Sequence, residues 1–247
     1  MLSRYFIDFH IHTALSPCAD NQMTPKRIIE AAVSHELHII AITDHNSAEN
    51  VPALLKAAEH QPVTVIPGME VQTREEVHLV CLFPGVKEIM VWQHFVYERL
   101  PDRKNREDYF GEQWVFDENG KPLQKCDRLL IASTSLGLEE TVEKCQEYGG
   151  ICYPAHVDRS NNSIISNLGF IPEEPVFPAV EISPMIKSED ALKRFPYLEK
   201  YTLIGSSDAH QLEEILWARS EIHIENPVFS EIALALEGEK QRKAVTI

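Results

Sequence analysis

Two histidines one residue apart, His10 and His12, lie in the stretch YFIDFHIHT at residues 5–13. The aromatic and β-branched residues around them favour a strand, on which Asp8, His10 and His12 share one side of the alternation. Two imidazoles at that spacing on a strand point at one ion, whereas a helix would set them roughly 200° apart. The pattern returns downstream, where apolar runs keep ending in His, Asp or Glu. HIIAIT at 38–43 runs into Asp44-His45, VTVIP at 63–67 into Gly68-Met69-Glu70, ICYP at 151–154 into Ala155-His156, and TLIGSS at 202–207 into Asp208-Ala209-His210. His78 stands apart, near the start of VHLVCLF at 77–83. Imidazole and carboxylate donors suit zinc, iron or manganese rather than calcium, which prefers oxygen ligands throughout. Glu70, the lone carboxylate after the third strand, is placed to bridge two ions. One strand-end Asp or His is ordinarily a helix cap, but five or six at the end of one sheet make a metal centre.

Such a centre needs a scaffold that gathers distant strand ends. Thr24-Pro25 supplies an N-cap and first-turn proline for a helix to about His35. Ser47 caps a second helix to about His60, so the chain opens strand, helix, strand, helix, strand, the order of parallel pairing with right-handed crossovers. Helices are expected again over 87–99, 138–148, 188–200 and 229–240, with further strands at 179–183 and 221–224. Residues 100–128 are charged and turn-rich, and read as an insertion with a short hairpin at Asn119-Gly120, either a solvated loop or a substrate lid. Seven or eight strands separated mostly by helices fit a (β/α) barrel, whose active sites form at the C-terminal strand ends. An open doubly wound sheet would carry a glycine-rich turn after the first strand, and none is there.

At 247 residues the expectation is one domain over 1–247, with 44% hydrophobic and 25% charged residues, ordinary for a globular protein. A net charge of −15 argues against a partner that is long nucleic acid or a membrane surface. Neither a signal peptide nor a membrane-spanning run is evident, which points to the cytoplasm. The five cysteines contain no CxxC, so neither a disulfide framework nor a zinc ribbon is indicated, and Cys81 and Cys152 read as buried small hydrophobes. The oligomeric state is not encoded in any pattern.

Taken in order, HxHT, TDHN, PGxE, a later His, PAH and SDAH resemble the polymerase and histidinol phosphatase (PHP) superfamily, over most of the chain from residue 8 to 210. The resemblance implies a distorted (β/α)7 barrel with two or three divalent ions (Zn, Mn or Fe) at the C-terminal strand ends, and phosphoesterase activity. By position, one ion would take His10, His12, Glu70 and Asp208. A second would share Glu70 and take His78 and His156. A third would use His45 and His210, and where three-metal members carry a further His this chain has Cys18. A thiolate ligates zinc competently, so Cys18 either completes that site or is a loop residue beside two ions.

The function this implies is hydrolysis of a small phosphorylated metabolite or nucleotide by a metal-bound hydroxide. Arg159, three residues after His156, is the candidate phosphate clamp, because guanidinium pairs bidentately with phosphate. Asp44 is expected to hydrogen-bond a ligating imidazole, and His45 or a metal-bound water to protonate the leaving group. Two other readings compete: an amidohydrolase, which usually bridges its ions with a carbamylated lysine, and a metal-loaded regulatory module without turnover.

Overall fold

Strand β1 (Ser3–Ile11) leads through α1 (Pro25–Ser34) to β2 (Ile39–Ile42), and α2 (Val51–Ala57) leads on to β3 (Thr64–Gln72). Thr24 holds the N-cap of α1 in extended conformation with Pro25 in the first turn. Asn50, rather than Ser47, precedes α2. The hydroxyl of Ser47 instead bonds the Tyr97 hydroxyl at 2.7 Å. β1–β2 and β2–β3 pair in parallel, with the helices as crossovers. β2 is buried along its whole length, as its unbroken apolar run requires.

The alternation then breaks. β4 (His78–Leu82) returns antiparallel to β3, because the turn at 73–77 is too short for the dozen or more residues a parallel crossover needs. Past α3 (Val86–Tyr97) come the short helix α4 (Glu107–Phe110) and the hairpin β5 (Trp114–Phe116) and β6 (Pro122–Lys125). Next, α5 (Leu138–Glu147) leads to β7 (Ile151–Pro154), antiparallel to β4. The remaining elements are α6 (Ile164–Leu168), β8 (Ala179–Ile182), α7 (Ser188–Arg194), β9 (Thr202–Gly205), β10 (Ser220–Ile224), α8 (Phe229–Leu236) and β11 (Lys243–Thr246). This computed structural model describes residues 1–217 and 220–247.

One curled sheet runs in the order β11-β10-β1-β2-β3-β4-β7, and β8 and β9 form a separate parallel pair. Backbone bonds draw that pair toward both neighbours. Val157 N donates to Glu181 O at 2.8 Å on the β7 side, and His12 N to Ala209 O at 3.0 Å on the β1 side. The result is a mixed α/β, half-barrel architecture. The expectation of strands mostly separated by helices fails at β4, which follows β3 directly, while β7 pairs antiparallel to β4 and β10 and β11 extend the β1 edge antiparallel. Beneath the rim, Ile7, Phe9, Ile39, Ile66, Val80, Leu82 and Tyr153 form a buried interior cluster, with the larger cluster between the sheet and its helices.

The insertion is docked rather than loose. Trp114 N donates to Ala14 O at 2.7 Å, while buried Asn50 donates to Trp114 O at 3.0 Å and accepts from Phe116 N at 2.9 Å. The hairpin therefore straps the loop that follows β1, the loop carrying Ser16 and Cys18.

Gly68 lies tight against the end of β2. A Cβ there would sit 2.8 Å from Thr43 Cγ2 and 2.9 Å from Ile42 O. Backbone cannot yield as a flexible side chain does, so Gly68→Ala is expected to cost roughly 2–3 kcal/mol of stability. Urea denaturation measures this, and a loss below about 0.5 kcal/mol would show that the strands can part there freely.

Candidate metal centre

The first strand reaches the site through a bulge. Between Asp8 and Ile11 the register with β2 slips, three steps along β1 spanning two along β2 from Ile40 to Ile42. A bulge re-aims the residues within and after it, here the stretch holding His10 and His12. β3 runs on through Gly68-Met69, so Glu70 lies inside the strand rather than past its end. Glu70 N donates to Asp44 O at 3.1 Å, and Asn46 N to Glu70 O at 2.8 Å, binding that strand to the turn after β2. Antiparallel β4 starts at the rim where β1, β2 and β3 finish, which brings in His78. His156 and Asp208 follow β7 and β9, and both hold positive φ angles, 31° and 51°, as does Asn46 at 49°. Non-glycine residues adopt that conformation at a cost and cluster where geometry serves function.

Glu70, 1% exposed, is the hub. Its Oε1 lies 2.8 Å from His78 Nδ1 and 3.2 Å from both His10 Nε2 and His156 Nε2. Its Oε2 lies 2.8 Å from His45 Nδ1 and 3.5 Å from His12 Nε2. Asp208 Oδ1 lies 3.2 Å from His12 Nε2 and 3.3 Å from His10 Nε2. Two donors that share an ion roughly 2.1 Å from each sit about 3–3.5 Å apart, so these separations suit common ions. Moreover His10 Nε2, His12 Nε2, His45 Nδ1 and Glu70 Oε2 are buried without an aligned hydrogen-bond partner. Donor atoms that converge in a buried cup without aligned hydrogen bonds to one another fit divalent cations.

The donors form three tight groups: His10, His12 and Asp208; His45, Glu70 and His78; and His12, His45 and His210. The first group lies within the first set inferred above from sequence resemblance. His45, by contrast, touches Glu70 as well as grouping with His210. Cys18 belongs to none of these groups among the described residues, and sits exposed at the mouth of the cleft. Partial burial of its sulfur would push the Cys18 thiol up, but His45 beside it and hydrogen bonds from His210 and His45 hold it down to about 6.

The imidazoles are oriented from behind. His10 Nδ1 meets Glu181 Oε1 at 2.9 Å, and His210 Nδ1 meets the Asp208 carbonyl at 2.7 Å. Asp44 does not touch a ligating ring. It accepts from Thr13 N, Thr13 Oγ1 and Ser16 Oγ, each at 2.7 Å. Since Ser16 gives its one proton to Asp44, its oxygen accepts from His12 Nδ1 at 2.9 Å and from His45 N at 3.1 Å. That fixes the proton of His12 on Nδ1 and frees Nε2 for an ion. The expected contact of Asp44 with an imidazole thus runs through Ser16, because the short Asp side chain is consumed by the loop after β1. No local pattern marks Ser16, and the one sequence signal for Glu181 is a single acid inside the apolar run AVEIS.

Electrostatics follow the packing. Burial would raise the Glu70 carboxyl, but His78, His10 and His45 hold it well below the carboxylate range. Asp208 is likewise held down, by His10 and His12 against its own burial. His12 is pushed well below the usual imidazole range by burial and by His210. Asp8, fully buried with Oδ2 unpartnered, is raised to about 6 by that burial against hydrogen bonds from Ser207. An acid raised on folding binds its proton more tightly in the native state, so its contribution to stability is lost as pH rises from about 4 to 6. Asp8→Asn retains the acceptor for His10 N and Ser207 N and is expected to stabilise the metal-free chain by up to about 3 kcal/mol at pH 7, with no gain at pH 4. Denaturation at the two pH values checks it. An equal effect at both would assign the change to packing.

Arg159 stands at the mouth, its side chain 37% exposed, with Nη1 2.7 Å from Asp208 Oδ2. The cleft holds about 190 Å³ and is bounded also by Ile131 and Asn162. A larger cleft of about 570 Å³ beside Ile182, Pro184 and Ile186 gathers no comparable set of donors among the described residues.

Over residues 8–159 the sequence matches the family model described as PHP domain. Uncharacterized protein YqxK of Bacillus subtilis is 22% identical over 275 positions, covering 99% of this chain and 65% of that protein. The 5'-3' exoribonuclease Rnm of Salmonella typhimurium is 32% identical over 96 positions, covering 35% of this chain and 32% of that protein. The chain thus spans less than two thirds of the length of these curated relatives. Among solved structures, Endonuclease Q in complex with a 27-mer duplex substrate bearing an abasic lesion at the active site superposes with a TM-score of 0.74 at 19% identity, over 98% of this chain and 58% of that one.

Two of these relatives are nucleic-acid enzymes by name, which overturns the expectation that acidity excludes long nucleic acid. The −15 is a whole-chain sum that includes Asp8, Asp44, Glu70, Glu181 and Asp208, all buried at the site, and bound cations would reverse the sign locally. Of the membrane, the helices say only that none among the described residues is long and apolar enough to cross one. The match over more than half of the sequence, on a half-barrel that gathers His, Glu and Asp at one rim, places the chain in the PHP domain family of divalent-metal-dependent phosphoesterases.

Proposed function

We propose that this chain hydrolyses phosphodiester bonds in nucleic acid, with divalent ions held by His10, His12, His45, Glu70, His78, His156, Asp208 and His210. The observation that carries the reading is the convergence of five imidazoles on Glu70, with His10 Nε2, His12 Nε2, His45 Nδ1 and Glu70 Oε2 buried there without an aligned hydrogen-bond partner. Bound there, the ions supply Lewis acidity toward a phosphoryl oxygen and lower the pKa of water. Glu70 neutralises that positive charge from the centre of the cup. Asp44 through Ser16, and Glu181 directly, hold the rings of His12 and His10 with the proton on Nδ1. Arg159 has donors left over beyond its bond to Asp208 and turns them to the phosphate.

Size supports a polymer. Sites that enclose small ligands measure roughly 300–1,000 Å³, whereas about 190 Å³ takes a phosphoryl group and leaves the rest of the substrate along the surface. The nucleic-acid substrates of the relatives point the same way. An amidohydrolase reading is not favoured, since among the described residues no lysine lines the cleft and Glu70 holds the central position between the imidazoles.

The test supplies Mn²⁺ or Zn²⁺ with labelled single-stranded, duplex and abasic-site oligonucleotides, alongside p-nitrophenyl phosphate. Oligonucleotide cleavage that stops on chelation is expected. Metal-loaded protein that cleaves only the monoester would refute the polymer substrate, and one that cleaves nothing would make it a binding module. Arg159→Ala is expected to raise KM about tenfold at unchanged metal content, with Arg159→Lys intermediate. An unchanged KM would confine Arg159 to its bond with Asp208.

A further inference from the structure

We propose that Cys81, Cys145 and Cys152 form a second metal site, away from the rim, for a soft monovalent cation of the copper(I) class. Cys81 in β4 and Cys152 in β7 are cross-strand partners with their sulfurs 3.5 Å apart, and Cys145 in α5 covers them. The three sulfurs lie within 4.8 Å of one another, and the residues are 0%, 0% and 1% exposed. Three donors about 2.3 Å from a shared ion in one plane sit roughly 4 Å apart, which matches this triangle. Gly150 keeps it open. A Cβ at that position would meet Cys145 Sγ at 2.7 Å and Phe83 at 2.6 Å.

The donor set selects the ion. Thiolates favour Cu(I) and zinc, but structural zinc sites close with four ligands. Among the described residues no His, Asp, Glu or further Cys joins this group. Its surroundings are the apolar layer of Phe83, Trp92 and Val142 between sheet and helices. In such a medium charge must cancel, and one thiolate balances one monovalent cation. Binding one cation displaces a single thiol proton to solvent, and no electron moves.

Because the triangle is sealed, it fills as the chain folds. The Cys18→Ala chain, which lacks the exposed thiol, is expressed in copper-supplemented medium and purified without oxygen. About one equivalent of Cu(I) is expected to survive a competing chelator, with thiolate-to-copper charge-transfer absorption. Cys145→Ala and Cys152→Ser should each lose it while keeping the circular dichroism of the parent. If either fails to fold, protection of the three cysteines from alkylation in the copper-loaded unsubstituted chain reads the same site. Absence of retained copper, retention unaffected by the substitutions, equal retention of zinc, or a Cys81–Cys152 disulfide in its place would each overturn the proposal.

Discussion

Glu70→Ala is expected to remove bound metal and hydrolysis together, with activity falling at least about 1,000-fold. Its carboxylate reaches five imidazoles: His78, His10 and His156 through one oxygen, His45 and His12 through the other. Removing it takes away the central negative charge and leaves five imidazoles facing a void. Glu70→Gln separates the causes, since it fills the same volume without the charge and is expected to fail nearly as badly. The metal-free protein should also feel the loss. Burial opposes it, but Cys18 and Glu70 raise His45 well above its ordinary value, and Glu181, Asp208 and Glu70 do the same for His10. A raised histidine stabilises below its unfolded pKa, and the lowered Glu70 stabilises above its own. The destabilisation by Glu70→Ala should therefore be greatest at about pH 5–6, between those limits. Elemental analysis, rates and denaturation at pH 5.5 and 8 test the three statements, and retention of metal by the Ala variant would end the bridging assignment.

How far the site was legible follows from the distance over which each feature is determined. The strand-end motifs were readable because residue type and local spacing carry them: His10 and His12, Asp44-His45, Glu70, His156, Asp208 and His210 all lie at one rim. His78 looked out of place only because the direction of β4 was unknown, and that direction is set by the brevity of the turn at 73–77. The bulge in β1 was invisible, since an inserted residue shows itself only against the register of β2. The side chains that orient the rings were hidden for the same reason. His10 and Glu181 are 171 residues apart, and Asp44 meets Ser16 across 28. The insertion concealed its role as a strap, because its charged surface says nothing of the buried Asn50 that holds it. Whole-chain acidity misled most, as it averages over carboxylates that never reach solvent.

Glu181 gives the sharpest separation of geometry from charge. Its Oε1 receives the ring of His10 at 2.9 Å and the backbone N–H of His156 at 3.2 Å, so one buried atom sets a ligand on β1 and the turn that carries another after β7. Its own backbone carbonyl accepts from Val157 N at 2.8 Å, which ties β8 to that turn. Glu181→Ala leaves two buried donors without an acceptor, and is expected to destabilise the chain by about 2–4 kcal/mol and weaken metal binding 10- to 100-fold. Glu181→Gln keeps an oxygen in place, accepting from both, and is expected to restore stability nearly in full and metal affinity to within a few fold, because the ring of His10 stays aimed. Competition against a metal-binding dye gives the affinities, and thermal melts of the metal-free variants give the stability. An Ala variant that bound metal as tightly as the parent would mean that packing alone orients His10. A Gln variant as defective as Ala would mean that the negative charge of Glu181, rather than its position, does the work.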